Sequence, residues 1–475
     1  MTALRVAVGA AIRLRPTEEL GKVLRRALRF PNPAFVQRER RGFWLGRTPK
    51  YIECYSVDRD GTYELPRGAA DLLMSSAKAL DLALEWDNRT LTLPELDLLP
   101  AAGLRDYQEA AVGAALRHPQ GCVVMPCGAG KTVVGSAIIR AARQPALVLV
   151  HQLDLIAQWT EKLDGCGAPL GVFGGGCHEL RPITIATIQT LATLSPEAFA
   201  DLAGRFGLVI LDEAHHAPAA SFASVLHRLP ARRRYGLTAT PDRTDGLGRL
   251  LDFYVGPRLY DIGTDELVAA GFLLRPEVRI VRTGFTYRFD SDDDPRPATA
   301  EEEQAHRRRR AHETAAMMDA LFADEARNAL IVRLARDEAV AGHTVLVLTG
   351  RVLHAQQVAE ALRADGIAAE AQHAKVGKRK RAANLEQTRG GEMQVLVATT
   401  VADEGLDLPR LDRVILAAPI RAAGRVQQRI GRLLRPKDGK PTPVAFDLVD
   451  DVGVLHGQAR ARRKVYGEIG AEVKG

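Results

Sequence analysis

A chain of 475 residues, 46% hydrophobic and 26% charged, is long enough for two or three globular cores and too apolar to default to disorder. Its net charge of +7 favours a polyanionic partner without naming one, and its five cysteines, odd in number and without a C-x-x-C pair, speak against a disulfide framework or a zinc site. No apolar run reaches the roughly eighteen residues of a membrane span, and arginines interrupt the opening MTALRVAVGAAIRLRP where a signal peptide keeps its apolar core. The expectation is a soluble, unexported, cytoplasmic protein with no membrane partner.

Residues 1–60 hold thirteen Lys or Arg against six Asp or Glu, an excess equal to that of the whole chain. Within them FPNPAFVQRERRGFWLGRTPKYIECY mixes arginines with Phe35, Phe43, Trp44 and Tyr51, a combination that grips phosphates and offers aromatic faces to bases. Residues 1–100 are therefore expected to form a small, basic α+β accessory domain that binds DNA, with turns at Asn32-Pro33 and Gly42 and a strand at YIECYSV.

From about residue 100, short β-rich apolar runs alternate with helical stretches, the pattern of a parallel sheet covered on both faces. GCVVMP, PALVLVHQ, PITIATIQ, FGLVILDEAHH and YGLTATP form one series; HTVLVLTGR, MQVLVATT, DRVILAAP and TPVAFDLVD form a second. The predicted fold is α/β, with two similar parallel-sheet lobes at residues 101–258 and 259–475. Between the two series, FDSDDDPRPATAEEEQAHRRRRAHE marks a charged insertion or hinge near residues 288–325, with RRRR on a solvated helix face.

MPCGAGKTVV, at residues 125–134, lacks the first glycine of the G-x-x-x-x-G-K-[ST] pattern, having Met125 there. It nevertheless follows a predicted strand and opens a predicted helix. In that setting glycines turn backbone N–H groups toward phosphate oxygens, Lys131 reaches the β/γ-phosphates and Thr132 can bind Mg²⁺. A second strand ends in ILDEAHH, where Asp212 can hold Mg²⁺, directly or through water, and Glu213 can orient and deprotonate the attacking water.

LRDYQ (104–108), PCGAGKT (126–132), LVLVHQLDLIAQW (147–159), ATIQT (186–190), DEAH (212–215), GLTATP (236–241), VATTVADEGLDLP (397–409) and QRIGRLLR (428–435) resemble, in order, the motif series of superfamily 2 DEAH-box helicases and translocases. That resemblance implies two tandem RecA-like lobes and ATP with Mg²⁺ as nucleotide and metal. It implies ATP contacts for Arg105, Gln108, Pro126, Cys127, Gly128, Ala129, Gly130, Lys131, Thr132, Gly405 and Asp407. It places Gln428, Arg432 and Arg435 with Lys131, Asp212 and Glu213 in hydrolysis, Arg432 and Arg435 approaching the γ-phosphate. It assigns His215, Thr238 and Thr240 to coupling, and Gln158, Thr187, Gln189, Arg351 and Thr399 to the sugar-phosphate backbone of a nucleic-acid strand.

LTATPDRTDG, GVFGGG and YVGPRLYDIGTDELVAAGFLLRPEV are similar to the XPB-like and UvsW-like DNA helicase group. Arg243 and Asp245 fall on that group's Arg-Glu-Asp motif, but Thr244 replaces its central acid, so the duplex-opening role of that motif is not carried over. The implied function is an ATP-dependent DNA helicase or translocase with 3′–5′ polarity, acting on single-stranded or branched DNA, with a protein partner such as a nuclease supplying any cleavage. An RNA helicase, or an ATP-switched clamp that recruits a partner, stands as the alternative.

Overall fold

The computed structural model describes residues 3–40, 45–46, 48–214, 220–239, 248–292, 299–399, 408, 410–419, 430–431, 433–434 and 441–475. The chain divides after Ile262 into two compact units, except that the short stretch Cys127–Ala129 groups with the second.

The first unit begins with β1 (Leu4–Val8), β2 (Ile12–Leu14), α1 (Glu18–Ala27), β3 (Arg29–Pro31), α2 (Pro33–Arg40), β4 (Tyr51–Glu53), β5 (Ser56–Val57), β6 (Tyr63–Leu65), α3 (Ala70–Ala79) and β7 (Leu84–Asn88). Five of these strands form one sheet in the order β5-β6-β2-β1-β7, and β3 pairs with β4 separately. Helix α1 starts where the Thr17 side chain accepts the Leu20 N–H, has Glu18 and Glu19 in its first turn and Arg25 and Arg26 in its last, and buries Leu20 and Leu24.

Two local expectations give way here. Asn32-Pro33 is not a turn but the start of α2, because the Asn32 Oδ1 accepts the Ala34 N–H and proline suits a first helical position. YIECYSV is not one strand but two, β4 and β5, which belong to different sheets on either side of the buried Cys54.

Next come α4 (Asp106–Leu116), β8 (Gln120–Val124), α5 (Lys131–Ala142), β9 (Ala146–Val150), α6 (Asp154–Leu163), β10 (Leu170–Gly174), β11 (Cys177–His178), β12 (Ile183–Thr187), α7 (Ile188–Ala192), α8 (Pro196–Ala203), β13 (Leu208–Leu211), α9 (Ala220–Leu226), β14 (Arg233–Thr238), α10 (Gly248–Tyr254) and β15 (Arg258–Asp261). Their sheet has the order β11-β10-β12-β9-β13-β14-β8-β15, parallel except at its β11 edge. Every residue of β9, β12 and β13 is buried, as sheets covered on both faces require.

The five-stranded and eight-stranded sheets of this unit share one apolar core. Phe30 and Phe253 meet with their rings tilted at 40° and 5.8 Å between centroids. The buried Arg67 donates to the carbonyls of Ala231 (2.6 Å) and Arg232 (2.9 Å), and the buried Arg234 donates to those of Ala10 (3.3 Å) and Tyr254 (3.0 Å). Burial holds the Arg67 guanidinium at about 10, below its ordinary value and still charged at neutral pH.

The second unit contains α11 (Thr264–Ala269), β16 (Glu277–Thr286), α12 (Ala300–Ala323), α13 (Glu325–Val340), β17 (Val345–Thr349), α14 (Val352–Ala364), β18 (Ala369–Gln372), α15 (Lys378–Gly390), β19 (Val395–Thr399), β20 (Arg413–Leu416), β21 (Val444–Asp451), α16 (Gly453–Glu468) and β22 (Glu472–Lys474). The strands form one parallel sheet, β18-β19-β17-β20-β21-β16-β22. The charged stretch expected as an exposed insertion is partly a core element. A Thr299/Glu302 capping box opens α12, and the helix buries Met317 and Leu321 against Phe289. Of its arginine run, Arg307 pairs with Glu303, Arg309 with Glu313, and Arg310 lies 3.9 Å over the Phe289 ring. Among the described residues no helix is long and apolar enough to cross a membrane.

Candidate nucleotide and strand site

In the first unit, the carboxyl ends of β8, β13 and β14 lie side by side, and each carries a piece of the candidate site. The loop after β8 turns through two left-handed glycines, Gly128 (φ 86°) and Gly130 (φ 85°), before α5 opens at Lys131. Gly130 is required twice over: its backbone disfavours other residues, and a Cβ there would lie 2.6 Å from the Gln108 Nε2. Gln108 is itself fixed, its Oε1 accepting the Arg105 N–H at 3.1 Å. Lys131 is 9% exposed, with its Nζ 3.5 Å from the Met125 carbonyl, and Thr132 follows it in the first helical turn.

Asp212 follows β13 and is buried. Its Oδ2 accepts from the Trp159 Nε1 at 2.7 Å, and its Oδ1 accepts from the Glu213 backbone N–H at 2.9 Å. Burial first, then the neighbouring Glu213 charge, pushes the Asp212 carboxyl up to about 6, opposed by the Trp159 hydrogen bond and the Lys131 charge. Glu213 sits at φ 48°, a left-handed conformation that costs a non-glycine residue about 1 kcal/mol or more and is characteristic of functional sites. Thr238, fully buried at the end of β14, offers its carbonyl to the Met125 N–H at 3.0 Å, tying that strand to the start of the loop.

This set fits a magnesium nucleotide. Gly130 leaves a cradle that a Cβ would fill, a lysine sits at a helix N-terminus, and a hydroxyl with a buried carboxylate supplies the hard oxygen donors that Mg²⁺ takes.

The expected strand contacts in this unit lie toward β9 and β12. Thr187 ends β12, its Oγ1 2.7 Å from that of Thr190, while the Gln189 Nε2 donates to the His151 carbonyl at 2.9 Å. Gln158 is half-buried on α6, beside Trp159. In the second unit Arg351 is the N-cap residue just before α14 and donates to Asp319 at 2.9 Å, and Thr399 ends β19 in register with Thr349. Thr349 in turn is hydrogen-bonded to the buried His354. His215, Thr240, Arg243, Thr244, Asp245, Gly405, Asp407, Gln428, Arg432 and Arg435 lie outside the described residues. The sequence reading assigns no role to Trp159, although its place directly after Gln158 was a signal.

Residues 102–243 match the family described as Type III restriction enzyme, res subunit, and residues 326–437 match the helicase conserved C-terminal domain. A DNA 3'-5' translocase XPB2 of Sulfurisphaera tokodaii is 29% identical over 70% of this chain and 79% of its own length. A DNA 3'-5' helicase XPB of Kineococcus radiotolerans is 31% identical over 70% of this chain and 57% of its own length. The chain belongs to the superfamily 2 helicases, in their XPB-like group. It spans little more than half the length of several XPB relatives, 57% of the Kineococcus protein among them. For this helicase the fold is matched by S. cerevisiae Dbp5 bound to RNA and ADP BeF3, at 17% identity and a TM-score of 0.56 over 86% of this chain and 93% of that one. Tandem RecA-like lobes are the shared architecture.

Proposed function

We propose that this chain is an ATP-dependent DNA helicase or translocase that couples ATP hydrolysis to 3′–5′ movement along, or unwinding of, DNA. The observation that carries the reading is the gathering of Gly130, Lys131, Thr132, Asp212 and Glu213 at one sheet edge, within a family whose relatives bear DNA 3'-5' helicase and translocase names.

Lys131 neutralises the β/γ-phosphates, while Arg105, Gln108 and residues 126–132 seat the nucleotide. Thr132 and Asp212 would hold Mg²⁺, which when bound neutralises charge on the phosphates. Both Asp212 oxygens already accept one hydrogen bond each, which leaves the carboxylate oriented and still able to accept further. Glu213 takes the proton from the attacking water. Gly405, Asp407, Gln428, Arg432 and Arg435 complete the hydrolytic set, as the resemblance implies, and His215, Thr238 and Thr240 couple it to movement.

Gln158, Thr187, Gln189, Arg351 and Thr399 hold one strand by its backbone, which gives tracking without sequence preference. Residues 1–100 act as a DNA-binding accessory domain ahead of lobes at 101–258 and 259–475, on single-stranded or branched DNA, in the cytoplasm and with a protein partner such as a nuclease. The test is steady-state ATP hydrolysis by the purified chain with single-stranded, duplex and forked DNA and matched RNA at fixed salt. Stimulation by DNA beyond RNA is expected, and Glu213→Gln should bind ATP without turning it over. Equal stimulation by RNA would refute the DNA assignment, and normal turnover by Glu213→Gln would refute the base.

A further inference from the structure

Helix α6 joins the two halves of the reaction just proposed. On one side it carries Gln158, assigned to the strand; the next residue, Trp159, turns inward and is fully buried. The Trp159 Nε1 donates to the Asp212 Oδ2 at 2.7 Å across 53 residues of sequence. The same ring packs on the helix that begins with Lys131, where a Cβ at Gly135 would lie 2.4 Å from the Trp159 Cη2. One helical turn beyond Trp159, the Lys162 carbonyl accepts from Ser136 of that helix at 3.0 Å. Any shift of α6 that follows strand binding is therefore transmitted to the carboxylate by one hydrogen bond and to the phosphate-loop helix by direct packing. A tryptophan needed only for volume would be satisfied by any backbone carbonyl. This one spends its single donor on the acid that sits beside the nucleotide.

We propose that Trp159 is a positioning residue that couples strand binding to nucleotide binding, by holding the Asp212 carboxylate in the orientation that α6 dictates. The inference rests on the DNA-motor reading. A hydrogen bond to a charged acceptor is worth roughly ten- to a hundredfold in an equilibrium, the same range as typical coupling between two sites.

The experiment measures the affinity of the full-length chain for the magnesium complex of a non-hydrolysable ATP analogue, with and without a 20-nucleotide oligo-dT, and the reciprocal affinity for oligo-dT. In the wild-type chain each ligand should tighten the other by the same factor, on the order of five- to a hundredfold. Trp159→Phe, which keeps the ring and removes the N–H, should bring that factor to within about twofold of one; being a ratio, it divides out any change common to both states. A Trp159→Phe chain that keeps the wild-type factor would overturn the inference and leave the motor reading intact. A wild-type chain with no coupling at all would overturn both. Should Trp159→Phe not fold, a Trp44→Phe/Trp86→Phe chain retains Trp159 as its single indole. The ¹⁵N–H resonance of that indole should move on addition of oligo-dT without nucleotide, and an unmoved resonance with DNA bound overturns the proposal.

Discussion

Gly68→Ala separates two views of residues 1–100, a tethered module or a part of the first lobe's core. Gly68 lies in a short 3-10 turn, and its φ is not left-handed, so alanine is locally acceptable there. Acting through the unfolded chain alone, the substitution would stabilise by about 0.4–1 kcal/mol. In the folded unit a Cβ at this position meets the Asp252 carbonyl oxygen at 1.9 Å and the Phe253 carbonyl oxygen at 2.6 Å, both backbone atoms of α10. Relief needs the turn and α10 to part by about 1 Å, which loosens the Phe30–Phe253 contact and, so far as the turn is the part that moves, strains the hydrogen bonds of Arg67 to Ala231 and Arg232. Overpacking of this kind plus one weakened buried hydrogen bond costs about 2–4 kcal/mol, so the sign of the effect reverses. Urea unfolding followed by tryptophan fluorescence reads it, because Trp86 and Trp159 both lie in the first unit. A lower midpoint is expected; an unchanged or raised midpoint would refute the docking of this turn on α10.

Gly130→Ala should weaken magnesium-nucleotide binding at least about tenfold in calorimetry with little change in circular dichroism, since it combines a left-handed backbone with a clash against Gln108; wild-type affinity would count against the cradle. Asp450→Asn should destabilise the second unit by about 3–5 kcal/mol, because the wholly buried Arg327, 2.7 Å from Asp450, would lose its counter-charge; a thermal midpoint within a degree of wild type would contradict this. Burial lowers the imidazoles of His227 and His354 to about 4, so the unfolded state takes up protons first as pH falls. Their stabilisation is complete above about 6.5 and is lost toward pH 4, with a slope of up to about 1.4 kcal/mol per pH unit for each histidine. Melting between pH 7.5 and 5 should show the decline, and His354→Gln should flatten it; an identical slope in that variant would refute the assignment.

The two strand series, the phosphate loop and the acidic strand end are legible from residues alone because each is local. A buried parallel strand is a short apolar run, a phosphate loop is a few consecutive residues between strand and helix, and DEAH follows directly on its strand. The ordered motifs then identify the family without any coordinate. Local pattern misled where neighbours decide the outcome: YIECYSV reads as one strand, yet its halves pair with different partners, and the charged 289–313 stretch reads as surface although Phe289 caps a small core. Long-range pairs were not legible. Trp159 with Asp212, Gly130 with Gln108, Arg67 with the carbonyls after Leu229 and Gly68 with α10 join segments that no periodicity links. Sequence determined which groups are candidates for chemistry, since that depends on residue type and close spacing. Tertiary structure decided which of them touch, because close packing brings distant segments together by shape and the hydrogen-bond demands of buried polar groups, neither of which is written in any local stretch.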